Sequence, residues 1–150
     1  MNEKIAYQKF REKAIKPLDR CDRIENVVGV GNPDVNFCIE GIEGWIEIKC
    51  PKEPKKPLTP LFGSNHKLSQ AQMNWFLRQR NSGGVGWVLI VTDKNRWILI
   101  DGCKYGDEIN FLSVNSLVSK AAFKAVHPDS TDFLFMRNTL MSKKGEIDGI

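Results

Sequence analysis

The feature that most restricts the fold is a proline-rich segment from Pro51 to Pro60, which holds four of the seven prolines in the chain. Proline lacks a backbone N–H and pushes the residue before it out of the helical region, so this segment cannot form a helix or a central strand. It also carries Lys52, Lys55 and Lys56. We therefore expect an exposed basic loop here, with the regular structure on either side of it.

Composition limits the class of protein. A chain of 150 residues with 41% hydrophobic residues can build one core, and is too short for two typical domains. No apolar run approaches the ~18 residues of a membrane helix, and the N-terminus lacks the apolar segment of a secretory signal, so we expect a cytoplasmic protein. The four cysteines form no CxxC pair, which argues against disulfides and a structural zinc. A net charge of +4 is compatible with a nucleic-acid partner without requiring one.

Apolar spacing predicts the elements. Helices are expected at 2–16, 68–80 and 114–125, and strands at 23–30, 34–39, 45–50, 86–92 and 96–101. The second and third strands are expected to pair as a hairpin, because glycines separate them. The order α-β-β-β-α-β-β-α indicates an α/β or α+β layer structure with helices packed on a mixed sheet. The residues from Met141 onward are expected to be a frayed tail.

One set of residues in the predicted hairpin suggests chemistry. Asp34 opens one strand, and Glu47 and Lys49 lie on one face of the next because strand side chains alternate. Pairing of the strands would bring Asp34 beside Glu47, and these carboxylates with the carbonyl of Ile48 would form an all-oxygen site that suits Mg²⁺. Such a site can support phosphodiester hydrolysis. Spacing alone leaves open the alternative of a solvated strand with alternating charges.

The pair Pro33-Asp34 followed by Glu47-Ile48-Lys49 resembles the PD-(D/E)xK nuclease superfamily, which includes restriction enzymes, Holliday junction resolvases and VRR-NUC nucleases. The segments 23–26 and 68–75 are similar to those of small phage-encoded members. The resemblance covers about residues 3–102, and α-β-β-β-α-β is the core order of that superfamily. It implies a single restriction-endonuclease-like domain over 1–150, with a C-terminal helical extension at 103–150 that could serve oligomerisation.

The resemblance implies roles for particular residues. Asp34 and Glu47 would be metal ligands with the main-chain oxygen of Ile48, and Lys49 would be the catalytic lysine. Gln72 resembles a glutamine that VRR-NUC-type members place near the site, although it could be an ordinary polar helix residue.

Members often add a glutamate from the first helix. We expect Glu3, because Glu12 lies about 200° from Phe10 around the helix at ~100° per residue and should be solvated. Glu3 could instead act only on the helix dipole. Glu25, in the first predicted strand, is either a structural charge or a second-metal ligand.

The substrate would contact basic residues near the proline-rich segment. We expect phosphate contacts from Lys52, Lys55, Lys56, His66 and Lys67. The alternative is a solubilising loop. Lys94 and Arg96 in a later turn could extend this basic track.

The resemblance thus implies a Mg²⁺-dependent DNA endonuclease, in which Mn²⁺ can substitute. We expect it to be encoded by a phage or a mobile element and to act on branched or structured DNA. A site-specific homing or restriction-like enzyme is the alternative, and a catalytically inactive DNA-binding module is the alternative of another class. A homodimer or higher homo-oligomer is expected, since many members of the superfamily pair two active sites.

Overall fold

Six strands form one mixed sheet and lie in it in their order along the chain. The computed structural model describes residues 1–24, 31–63 and 66–142. The parallel pair is β3–β4, and the other neighbouring pairs are antiparallel. The strands are β1 (Arg20–Arg23), β2 (Val35–Ile39), β3 (Ile42–Lys49), β4 (Gly86–Val91), β5 (Arg96–Asp101) and β6 (Phe123–Val126).

Helices cover both faces of the sheet. Side chains of β4 alternate between two apolar cores: Trp87 and Leu89 pack in the core that holds the first and last helices, while Val88 and Ile90 pack under the second helix. In the described residues, no helix is long and apolar enough to cross a membrane. The helices are α1 (Glu3–Ala14), α2 (Gln70–Asn81), α3 (Gly102–Tyr105), α4 (Val114–Lys120) and α5 (Ser130–Met141), with a 3₁₀ turn at Ile109–Phe111.

The predicted order is confirmed from α1 through β5, including the β2–β3 hairpin. The first strand was misplaced: β1 begins at Arg20 and ends at Arg23, and residues 25–30 of the predicted strand lie outside the described residues. Cys21 is the one buried residue of β1. The strand therefore has no alternating apolar pattern that a sequence analysis could detect, and its bounds follow from its pairing with β2.

The predicted third helix was too long. It ends at Lys120, Ala121 is extended, and Phe123–Val126 pairs with β5 as the strand β6. Phe123 is buried in the core, and Ala122 already donates its N–H to the carbonyl of Leu99. Pairing with β6 supplies hydrogen-bond partners for the backbone groups of β5. The apolar spacing of residues 114–125 gives no sign of this pairing.

The segment after residue 102 completes both the sheet and the core. Besides β6 it supplies α5, whose Phe133, Met136 and Leu140 pack in the same core as Phe10 of α1. The expected tail is not tested beyond residue 142, because residues 143–150 lie outside the described part of the chain.

Candidate active site

The β2–β3 hairpin brings Asp34 and Glu47 together. Val35 pairs with Ile46, so Asp34, one residue before β2, lies opposite Glu47. Asp34 is held in place because its Oδ2 accepts a hydrogen bond of 3.1 Å from the backbone N–H of Ile48. The N–H and C=O of a strand residue point toward the same neighbour. The carbonyl of Ile48 therefore faces the Asp34 side as well.

Glu47 is a buried carboxyl group in an electrostatically costly position. The residue is 3% exposed, and its Oε1 has no hydrogen-bond partner among the described residues. Burial, followed by the neighbouring carboxylate of Asp34, raises the pKa of Glu47 to about 9. Lys49 lies 3.5 Å from Oε2 and offsets only part of this effect.

Gln72 connects the carboxyl group of Glu47 to the ammonium group of Lys49. Its Nε2 donates to Oε2 of Glu47 at 3.2 Å, and its Oε1 accepts from Nζ of Lys49 at 3.2 Å. The same Oε1 accepts from the backbone N–H of Ser69 at 2.9 Å. Two N–H or NH₃⁺ donors thus fix which end of the amide faces Lys49, and Nε2 is left to face Glu47.

Two local features place Gln72 over β3. Ser69 and Gln72 form a reciprocal capping box at the start of α2, which holds the first turn rigid. One turn later, Trp75 packs edge-on against Trp45 with ring centroids 5.6 Å apart. Trp45 lies two residues before Glu47 and so on the same face of β3. The aromatic contact therefore docks α2 on the face that carries Glu47 and Lys49.

Glu3 at the start of α1 also faces this group. Burial and the carboxylate of Asp34 raise the pKa of Glu3, while Lys49 and His66 lower it to a smaller extent. Glu12 is exposed. Of the two helix-1 glutamates, Glu3 is therefore the one that interacts with Asp34 and Lys49, and its part in the site stays a prediction.

The residues fit a divalent cation. In the described residues, no group of three or more His, Cys, Asp or Glu side chains forms a ready metal site. The available donor set is instead two carboxylates and one main-chain oxygen, from Asp34, Glu47 and Ile48. A buried carboxylate oxygen without a donor, beside a second carboxylate, is an environment that a cation would stabilise.

The residues predicted to contact DNA lie in several places in the described structure, and their contact with DNA stays a prediction. His66 lies near Glu3, whereas Lys55 and Lys56 line a pocket with Lys94 and Arg96. Lys52 and Lys67 are exposed. Glu25 lies outside the described residues, so its alternatives stay open.

Two residues near the site were not predicted. Ser69 caps α2, and the Ser-x-x-Gln spacing of a capping box was readable in the sequence. Cys50 follows Lys49 and is buried near the carboxyl groups; burial, then Glu3, raises the pKa of its thiol to about 12. No pattern in the sequence indicated that Cys50 borders the site.

Comparison with known proteins supports the fold. No family model matches the chain, and no curated protein matches it significantly. Among solved structures, it is similar to Hjc from Archaeoglobus fulgidus, a Holliday junction resolvase from an archaeal hyperthermophile. The TM-score is 0.51 at 16% identity, over 77% of this chain and 86% of that one. The chain has the restriction-endonuclease-like fold.

Proposed function

We propose that the protein is a metal-dependent endonuclease that hydrolyses phosphodiester bonds in DNA. The observation that carries this proposal is the convergence of Asp34, Glu47 and Lys49 on one hairpin, with one buried oxygen of Glu47 lacking a hydrogen-bond partner among the described residues. Ionisable side chains whose pKa values are shifted by burial and by a neighbouring charge cluster at functional sites.

Each side chain has a distinct role in this proposal. Asp34, Glu47 and the carbonyl of Ile48 would hold Mg²⁺ or Mn²⁺. When bound, the metal lowers the pKa of a water and balances charge on the phosphate. Lys49, held by Gln72, would orient the attacking water or neutralise the phosphate oxygens as charge builds on them. Gln72 positions Lys49 and Glu47 relative to each other. Glu3 would contribute from α1.

Branched DNA is the proposed substrate class. Its support is the likeness to a protein named as a Holliday junction resolvase. A site-specific endonuclease is the second candidate within the same class. The presence of Asp34, Glu47 and Lys49 together disfavours an inactive DNA-binding module, in which one of these positions would be free to change.

The test is cleavage of a panel of labelled DNAs with Mg²⁺ or EDTA. The panel contains a four-way junction, a flap, linear duplex, single strand and a large plasmid. Glu47→Ala should abolish cleavage and retain DNA binding. Glu43→Ala is the matched control, since Glu43 lies on the same strand with a side chain 64% exposed. Normal turnover by the Glu47→Ala protein would contradict the site.

The panel also separates the candidates. Cleavage of the junction or flap alone supports a structure-selective enzyme. Discrete plasmid fragments with an intact junction favour the site-specific candidate. Binding without any cleavage of the panel would overturn the proposal in favour of a DNA-binding module.

A homodimer is part of the proposal. One chain supplies one cluster of Asp34, Glu47 and Lys49, whereas opposed cuts in two strands need two such clusters. Light scattering during gel filtration, with and without junction DNA, tests this. A monomer in both conditions that still makes paired cuts would contradict it.

A further inference from the structure

A small basic pocket lies between the loop that follows β3 and the turn that joins β4 to β5. Its volume is about 200 Å³. Four cationic side chains from these two segments line it, Lys55 and Lys56 from the loop and Lys94 and Arg96 from the other segment. We call it the phosphate pocket below, for the reasons that follow.

Buried Glu53 joins the two sides of the pocket. Its side chain is 7% exposed, and its Oε2 accepts from Oγ1 of Thr92 at 2.6 Å and from Nε of Arg96 at 3.3 Å. Its backbone N–H donates to Oδ1 of Asp93 at 2.8 Å. Main chain and side chain are thus both tied to the β4–β5 turn. These hydrogen bonds therefore hold the start of the proline-rich loop in a fixed position against the β4–β5 turn.

The charge of the pocket is left unbalanced. Among the described residues that line it, Glu53 is the one carboxylate, and it is already paired with Arg96. In the described part of the chain, no carboxylate lies within 4.0 Å of the ammonium groups of Lys55, Lys56 or Lys94. The ion pair uses Nε of Arg96, which leaves the guanidinium fork for a second acceptor. Phosphate fits this arrangement.

Strand register places the pocket near the candidate active site. Lys49 pairs with Ile90, Ile90 pairs with Ile98, and Arg96 lies two residues before Ile98, so Lys49 and Arg96 lie on the same face of the sheet. Both residues also lie at the same end of the strands. The parallel strands β3 and β4 end there, and the antiparallel strand β5 begins there. Two strand spacings across the sheet and an offset of two residues along the strand separate them, about 12 Å in all, which is about three to four base pairs of duplex.

On the basis of the proposed nuclease function, we propose that the phosphate pocket binds a backbone phosphate of the DNA a few nucleotides from the scissile bond, and that Glu53 positions its cations. The contact would set the register of the duplex without reading its sequence. Lys55, Lys56 and Lys94 contact the DNA, whereas Glu53 acts through the loop and through Arg96.

The first test compares two triple variants with the same change in charge. The pocket variant is Lys55→Gln with Lys56→Gln and Lys94→Gln; the control replaces exposed Lys9, Lys13 and Lys124 with Gln. Affinity for junction DNA is measured in EDTA over a range of salt concentrations. The pocket variant should bind roughly 10- to 100-fold more weakly, and its slope of log K against log salt should fall by about 2 to 3. The control should change little.

A second test isolates the positioning role of Glu53. By charge alone, Glu53→Gln makes the protein more positive and should tighten DNA binding. Positioning predicts the opposite: weaker binding and a smaller salt slope, although no cation is removed. Exposed Glu43→Gln is the control, and it should leave affinity unchanged or slightly tighter.

These outcomes separate the pocket from the nuclease. If wild-type protein cleaves DNA with Mg²⁺ but the pocket and control variants have equal salt slopes, the phosphate pocket is wrong and the nuclease stands. If the slopes differ as expected but no DNA is cleaved, the nuclease is wrong and the pocket is a contact of a DNA-binding module. Tighter binding by Glu53→Gln would overturn the positioning role.

Discussion

At the scale of single residues, the carboxyl group of Glu47 opposes folding at neutral pH. Burial and Asp34 raise its pKa to about 9, far above the ordinary value of 4.5. The folded state therefore holds a proton that the unfolded state releases between these two values. The group contributes fully to stability below pH 4.5, and this contribution is lost as pH rises toward 9. The raised pKa of Glu3 acts in the same direction.

The metal-free protein should therefore lose a few kcal/mol of unfolding free energy between pH 5 and pH 9, at ~1.4 kcal/mol per unit of pKa difference. Urea unfolding in EDTA at several pH values measures this change in unfolding free energy. Glu47→Gln should flatten the profile while abolishing cleavage. Millimolar Mg²⁺ should restore stability to the wild type at high pH, because the cation takes the place of the proton. A flat wild-type profile would contradict the burial of an uncompensated carboxyl group.

Replacing Gln72 should separate chemistry from folding. Gln72→Met keeps the length of the side chain and its helix propensity, but removes its bonds to Glu47, Lys49 and Ser69. We expect kcat to fall by about 10- to 100-fold, as when a ligand-orienting group is lost, with KM nearly unchanged. Gln70→Met is the matched control on the same helix, where the side chain bonds only to Asn74 among the described residues. Equal rates for the two variants would contradict the role of Gln72.

The residues of the site were largely predictable because local rules place them. Alternation along β3 puts Glu47 and Lys49 on one face, and the hairpin places Asp34 opposite them. The contact of Gln72 with that face was implied by resemblance, not by spacing. Whether α2 packs on the face of Glu47 or on the other face depends on the Trp45–Trp75 contact, which joins segments that are distant in sequence.

At the scale of elements, the segment before Asp34 approaches α2 unusually closely. Gly31 has φ +77°, and a Cβ on it would lie 2.5 Å from the backbone of Ala71. Ala71 precedes Gln72 in the first turn of α2. Because Gly31 has no side chain, its backbone can pack against the first turn of α2. This contact brings Asp34, which follows Gly31, close to Gln72, which follows Ala71.

Gly31→Ala should push these two elements apart. The expected cost is roughly 1–3 kcal/mol of stability together with a marked fall in cleavage rate. Gly41→Ala is a matched control, because Gly41 has a similar φ of +83°, but a Cβ on it would meet no described atom within 4 Å. Gly41→Ala introduces the strain of a positive φ but no clash with a neighbouring atom, so it should lower stability modestly and leave the cleavage rate unchanged. Equal effects on activity would show that contact with α2 is unimportant.

Prediction of the elements failed where tertiary pairing overrides local pattern. Leu117, Ala121 and Ala125 have helical spacing, yet the chain leaves the helix after Lys120 because β5 offers an edge to pair with. No helix was predicted at α5. There Phe135 is 58% exposed and Arg137 is 4% exposed, the reverse of the usual pattern.

At the scale of the whole molecule, a buried ion pair joins α5 to the segment between α1 and β1. Arg137 of α5 contacts Asp19, which follows α1, and their side chains are 4% and 5% exposed. Arg137 also donates to the carbonyl of Ala14 at 3.4 Å. The pair lowers the pKa of Asp19 through its hydrogen bond with Arg137. Without Arg137, the buried Asp19 carboxylate would keep the backbone N–H of Lys16 as a donor but would have no ion-pair partner among the described residues, whereas Arg137 also lies 3.9 Å from a carboxylate oxygen of Glu40.

Arg137→Met should therefore cost about 3–5 kcal/mol of unfolding free energy. Asp22→Ala is the control, since it breaks only the pair of Arg20 and Asp22, whose side chains are 45% and 56% exposed, and such a pair contributes under ~1 kcal/mol. Adding Asp19→Leu to Arg137→Met should recover much of the loss, because it removes the orphaned charge. Urea unfolding measures all three. The single-turnover cleavage rate, taken at a temperature where each variant is folded, should stay unchanged. No described contact joins Arg137 to the Glu47 cluster, so a fall in rate without unfolding would show that α5 also acts on the site.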